Sequence, residues 1–362
     1  VRYEPPTYES IPTVAEMVAS MDAAVSGLET VKPRLALILR RFMVAASQGH
    51  PRPAMNVVIC APTGAGKTHV LRCLLNAIPV MHTEVNATEY SDVGYRGRDL
   101  TSMYLGLLGP RWRGDPKPKG AEGETPYQER EITTLAERWG VVVIDEFDKL
   151  RASRTPGSTD REVGRVLQAE LLKLVEGTQA LCRRSDDDRG VLINTNNILH
   201  IAAGAFQGLN EVVLKDLLAN NIGVANRDHA YEKATPADII EYGFLEELMG
   251  RFSSIVTLPP LNGGHLSRIF REHVIPGVQI QCADDGIELV VDEGAISAAG
   301  SYPLEGVHGA RHSLGARALS TLLEECLEKQ WAQAQPGDRL VLDADGVIHR
   351  TCRLERAVTV AA

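Results

Sequence analysis

The sequence predicts an α/β fold: a parallel-sheet domain followed by a smaller, mostly helical C-terminal domain. Three observations carry that expectation. Short apolar runs alternate with longer helical patterns, the order of strands joined by crossovers. One run opens through a glycine-bearing turn into a helix, and another ends in two consecutive acids. Near Pro259-Pro260-Leu261-Asn262-Gly263-Gly264 the pattern changes and helices predominate. The expected division is a lead-in over 1–13, a large α/β domain over 14–258 and a small domain over 259–362.

Taken in order, the proline-bearing lead-in gives way to two helical patterns between Val14 and Ser47, separated near Gly27. Residues 56–62 form the first core strand, and further strands are expected at Val80–Val85, Val141–Ile144 and Ile198–Ala202. The third is apolar throughout, as a strand covered on both faces should be. A helix is expected from Val163 to Val175. Gly109 to Gln128, with four prolines, reads as a surface excursion, and Arg183 to Gly190 as a polar loop. Beyond 259, helices are expected at His265–Val274, Asp292–Ala299 and Ala310–Ala332, then an extended segment Arg339–Leu342 turned by Asp343 to Gly346.

With 44% hydrophobic and 23% charged residues in 362, the composition is that of a globular protein with a substantial core. A net charge of −9 argues against a broad basic face for nucleic acid, though not against a local basic channel. The six cysteines are scattered with no CxxC pair, so neither a zinc site nor a disulfide framework is indicated, and they read as packing thiols in a reducing cytoplasm. No run is long enough to span a membrane, and Val1-Arg2-Tyr3-Glu4-Pro5-Pro6 lacks the apolar core of a signal peptide. The expected location is cytoplasmic.

Residues 61–68, Ala-Pro-Thr-Gly-Ala-Gly-Lys-Thr, follow the strand at 56–60 and lead into a helix, which makes them a P-loop. The backbone N–H groups of Pro62-Thr63-Gly64-Ala65-Gly66-Lys67-Thr68-His69, proline excepted, can wrap a β-phosphate. Lys67 supplies a point charge to the β/γ oxygens, and the Thr68 hydroxyl is suited to magnesium. The first glycine of the usual pattern is Ala61 here. At the end of a neighbouring strand, Asp145 and Glu146 form a Walker B element: Asp145 for the metal, directly or through its water, and Glu146 to polarise the attacking water. ATP and Mg2+ are the expected cofactors.

These motifs, with Val-Ile-Asp-Glu-Phe-Asp-Lys-Leu (143–150), Leu-Leu-Lys-Leu-Val-Glu-Gly-Thr (171–178), Gly-Ala-Phe-Gln-Gly-Leu (204–209), Met-Gly-Arg-Phe (249–252) and Gly-Ala-Arg-Ala-Leu (315–319), together resemble the ClpX branch of AAA+ unfoldases, in order over residues 20–335. The resemblance implies a P-loop AAA+ ATPase assembled as a homo-oligomer, expected to be a hexamer, with nucleotide between the two domains. Arg251 then resembles the arginine finger that reaches the neighbouring subunit's γ-phosphate, and Arg317 the sensor-2 arginine. Val25, in Val25-Ser26-Gly27-Leu28, partly matches an adenine-contacting turn. Tyr95, between Gly94 and Gly97, falls where the family carries its pore loop and would grip polypeptide.

Three departures qualify the likeness. Arg96 replaces the apolar residue after the pore tyrosine, which would make the pore basic and change substrate selection. Ile222-Gly223-Val224 stands where the family docks a ClpP-type protease through an Ile-Gly-Phe tripeptide, and valine fills an apolar pocket less fully, by about 1–2 kcal/mol per subunit. The family's cysteine-rich zinc-binding N-terminal domain has no counterpart in these residues. The short separation of Glu146 from Gly177 leaves no room for the inserted domain of HslU.

The expected function is therefore ATP hydrolysis coupled to pulling polypeptide through a ring pore, for a ClpP-type protease. A protease-independent remodelling chaperone is the alternative favoured by Ile222-Gly223-Val224, and a nucleic-acid motor has only Arg96 and Arg98 behind it. A nucleotide switch that binds without hydrolysing is opposed by Glu146.

Overall fold

The computed structural model describes residues 5–49, 55–90, 99–109, 127–152, 159–183, 189–219, 227–305 and 317–356. The chain divides into two compact units. One comprises Val1–Ala24, Leu28–Pro62 and Lys67–Pro259, the other Val25–Gly27, Thr63–Gly66 and Pro260–Ala362.

The first unit opens with α1 (Val14–Asp22) and α2 (Val31–Gln48). A capping box starts α1: the Glu16 N–H donates to Thr13 Oγ1 at 3.2 Å, and the Thr13 N–H donates back to the Glu16 carboxylate at 2.7 Å. Then follow β1 (Asn56–Cys60), α3 (Lys67–Asn76), β2 (Met81–Asn86), α4 (Tyr127–Trp139), β3 (Gly140–Asp145), α5 (Thr159–Glu176), β4 (Gln179–Cys182), β5 (Val191–Asn194), β6 (Leu199–Gly204), α6 (Leu209–Ala219), α7 (Pro236–Tyr242), α8 (Glu246–Met249) and β7 (Phe252–Thr257).

Five strands make one parallel sheet in the order β2-β3-β6-β1-β7. Burial follows position: every residue of β1 and β6 is buried, whereas the edge strands β2 and β7 are only partly covered. Strands with helices on both faces can carry continuous apolar runs, and those are the runs legible in the sequence. Because all five point the same way, the P-loop, the Asp145–Glu146 pair and Ala205 leave the sheet at the same edge.

Several sequence expectations are corrected. The first strand ends at Cys60 rather than 62; Ala61 still donates to Gly204 O at 3.1 Å, but Pro62 has no N–H to continue the ladder. The edge strand β7 was not anticipated, because its half-exposed residues lack an apolar run. The loop 183–190 joins β4 and β5, an antiparallel hairpin that alternation over four residues did not reveal. Of the 109–128 excursion, 110–126 lie outside the described residues, and Tyr127 already begins α4.

The second unit contains α9 (Gly263–Ile269), α10 (Ile275–Asp284), β8 (Glu288–Val291), α11 (Glu293–Glu305), α12 (Arg317–Trp331), β9 (Arg339–Leu342), α13 (Ala344–His349) and β10 (Arg353–Glu355). The helix expected over 265–274 passes through a π turn at Phe270–Val274 before α10. Pro276 explains the widening, since it offers no N–H to the preceding turn and crowds the carbonyl four residues back. The extended segment 339–342 is the middle strand of a three-stranded sheet, β10-β9-β8. The expected turn at 343–346 is instead the start of α13, where Asp343 Oδ1 accepts from the Gly346 N–H at 2.8 Å and caps the helix. Phe270, Cys282, Leu319, Leu323, Leu327 and Leu340 lie at the centre of this unit's core.

Candidate nucleotide site

The P-loop spans the gap between β1 and α3. Gly64 and Gly66 both take positive φ, 77° and 82°, so the two glycines supply the left-handed backbone that turns successive N–H groups inward. Lys67 and Thr68 are the first residues of α3, where helix N–H groups are unpaired and the dipole favours an anion.

Asp145 ends β3, which is not paired to β1: β6 lies between them. At ordinary strand spacing this puts the two strand ends about 10 Å apart. The side chains close that distance. Thr68 Oγ1 donates to Asp145 Oδ2 at 2.9 Å, and Lys67 Nζ is 3.5 Å from Asp145 Oδ1. An ammonium, a hydroxyl and a carboxylate therefore meet at one point at the start of α3. Hard oxygen ligands of this kind suit magnesium, and the cation suits phosphate oxygens, so these residues fit a magnesium–nucleotide complex.

Glu146 sits in the left-handed region at φ 54°, ψ 31°, unusual for a residue with a Cβ. Such backbone costs on the order of 1–3 kcal/mol and is kept where the surroundings enforce it. Here the Glu146 N–H donates to Asp145 Oδ1 at 2.8 Å and its carbonyl accepts from the Lys149 N–H at 2.9 Å. The kink turns the chain away from the strand direction immediately after Asp145. Two residues on, the buried Asp148 accepts from the Ala205 N–H at 3.1 Å through Oδ1 and from Lys149 Nζ at 3.1 Å through Oδ2, joining the end of β3 to the end of β6. Sequence reasoning gave Asp148 no role; its spacing from Asp145 was the available signal.

His69 Nε2 lies 3.1 Å from the Ala24 carbonyl, and Val25, the next residue, is buried. Arg251 directly precedes β7, and its guanidinium is held by Glu176 at the end of α5, with contacts of 2.5 and 3.0 Å to Oε1. The sequence did not foresee that partner. Arg317 is the first residue of α12, in the second unit. Tyr95 and Arg96, and the tripeptide Ile222-Gly223-Val224, lie outside the described residues.

None of the six cysteines forms a disulfide, and all but Cys73 are buried. Burial pushes the Cys60 thiol, at the end of β1 directly before the phosphate loop, far above its ordinary range, which keeps it protonated. No helix among the described residues is long and apolar enough to cross a membrane.

Comparison with known proteins bears on the family of the chain. The family profile of the AAA domain (Cdc48 subfamily) matches residues 120–255. The ATP-dependent Clp protease ATP-binding subunit ClpX of Azotobacter vinelandii is 28% identical over 346 residues, covering 88% of this chain and 73% of its own length. That of Treponema denticola is 28% identical over 341 residues, with 88% and 76% covered. ClpX 3 of Methylococcus capsulatus is 31% identical over 317 residues, with 81% and 67% covered.

Proposed function

The chain belongs to the ClpX family of AAA ATPases, and from that premise we propose that it is an ATP-driven motor that unfolds and translocates polypeptide as a ring of identical subunits. The observation that carries the reading is the meeting of Lys67 and Thr68 with Asp145, which assembles a phosphate-binding cation beside oxygen ligands for magnesium. In this reading Pro62 to His69 cradle the phosphates, with Lys67 on the β/γ oxygens. Thr68 and Asp145 hold Mg2+, which when bound neutralises the charge that develops on the transferred group.

Glu146 orients and deprotonates the attacking water. Asp145 already engages Thr68 and Lys67, which leaves the second acid for the water. Arg251, half-exposed at the start of β7, is suited to reaching a neighbouring subunit's nucleotide, and Arg317 to sensing the nucleotide from its own chain. Val25 takes the adenine side. Tyr95 and Arg96 grip substrate in the pore, and Ile222-Gly223-Val224 docks a ClpP-type protease.

A second reading, a remodelling chaperone that works without a peptidase, draws on that tripeptide, where valine replaces the bulkier aromatic. One experiment separates the two: unfolding of a tagged stable protein with and without a ClpP-type protease, by wild type, Glu146→Gln and Tyr95→Ala. Degradation with the protease supports the first reading; unfolding without degradation supports the second. Absence of unfolding by the wild type overturns both.

A further inference from the structure

Arg251 is held at two places, and only one is its side chain. Glu176 holds the guanidinium at the surface. The Arg251 carbonyl accepts from Asn56 Nδ2 at 3.1 Å, and Asn56, the first residue of β1, is buried.

The amide of Asn56 is itself oriented. Its Oδ1 accepts from the His200 backbone N–H at 2.9 Å, and His200 Nδ1 faces the same oxygen at 3.3 Å. That nitrogen therefore carries the ring proton, which leaves Nε2 as an acceptor, and the Tyr104 hydroxyl donates to it at 2.9 Å. His200 and Tyr104 are fully buried, and their rings meet edge to face. The result is one polar line, Tyr104–His200–Asn56–Arg251, running past the N-terminal ends of β6, β1 and β7 in a sheet whose other buried side chains are almost all apolar. A network that costs burial of so many polar atoms is kept when it specifies one geometry.

We propose that Asn56 is a positioning residue for Arg251: it fixes the backbone from which the arginine reaches the neighbouring subunit, and His200 and Tyr104 fix Asn56. The inference rests on the proposed role of Arg251. It requires that a change at Asn56 damage hydrolysis in the neighbour's site while sparing the variant subunit's own Lys67, Thr68, Asp145 and Glu146.

Subunit mixing tests this requirement. Asn56→Leu is expected to lower ATP turnover of the homo-oligomer roughly tenfold, the scale of a misplaced rather than missing group, with little change in KM for ATP. Mixed with Glu146→Gln subunits, which lack the acid but retain the arginine and its support, it regains turnover above either variant alone, because its intact site can be served by an intact Arg251. Arg251→Ala is the reference and shows the same rescue. If Arg251→Ala is not rescued, the reading of Arg251 falls. If it is rescued and Asn56→Leu is not, the role of Asn56 falls. Should Asn56→Leu not assemble, Asn56→Ser, which leaves room for water at both orphaned groups, replaces it; wild-type turnover or failure of rescue in that variant equally overturns the proposal.

Discussion

Thr68 and Asp145 lie 77 residues apart in the chain, yet their side chains share a 2.9 Å hydrogen bond. Thr68 lies in the first turn of α3 and Asp145 closes β3, and β1, the strand that leads to α3, is not a neighbour of β3. The bond exists because a parallel sheet delivers the ends of β1 and β3 to one edge, with β6 between them. In the proposed function these two oxygens hold the magnesium ion.

Removing the charge and removing the acid should therefore have different consequences. Lys67→Ala is expected to weaken ATP binding and with it turnover. Glu146→Gln should retain ATP and lower turnover by about 10²–10⁴-fold, the range for a lost general base. Equilibrium binding of a fluorescent ATP analogue beside steady-state turnover separates the two outcomes.

Thr68→Val preserves shape and deletes the hydroxyl. The Mg2+ concentration for half-maximal turnover should rise roughly tenfold or more, as expected when a metal site loses an oxygen or its hydrogen-bonded support, and Thr68→Ser should restore it. Magnesium titration of ATP turnover is the measurement.

Asp148 is buried and holds Ala205 and Lys149. Asp148→Ala orphans the Ala205 N–H and should destabilise the first unit by roughly 1–3 kcal/mol. Asp148→Asn keeps an oxygen for that N–H and should cost less. Denaturant unfolding of both variants against wild type decides it.

Burial holds His200 at about 4, below its ordinary 6.5. The native state thus refuses a proton that the unfolded chain accepts. The associated stability is fully present above pH 6.5 and is lost as pH falls toward 4, at up to about 1.4 kcal/mol per pH unit. Unfolding midpoints at pH 7 and pH 5 should differ less in His200→Phe than in wild type.

How much was legible in the sequence depended on what each residue needs in order to be read. Val141 to Ile144 and the run before the P-loop announced themselves because central parallel strands are apolar on both faces. Phe252 to Thr257 did not, because an edge strand needs only one good face. Asp343 to Gly346 read as a turn because Asp and Gly are common in turns; Asp343 caps a helix instead. The P-loop and the Asp145–Glu146 pair are local patterns and could be found one at a time. Glu176 beneath Arg251, and Asn56 beside His200, could not, since those pairings span 75 and 144 residues and exist only once the sheet order is known.

The most direct test of the account is steady-state ATP turnover by the assembled wild-type protein with and without an unfolded polypeptide, with Glu146→Gln as the control. For a polypeptide motor the polypeptide stimulates turnover, and Glu146→Gln, although it still binds ATP, turns over about 10²–10⁴-fold more slowly. Turnover indifferent to polypeptide and raised by DNA would contradict it.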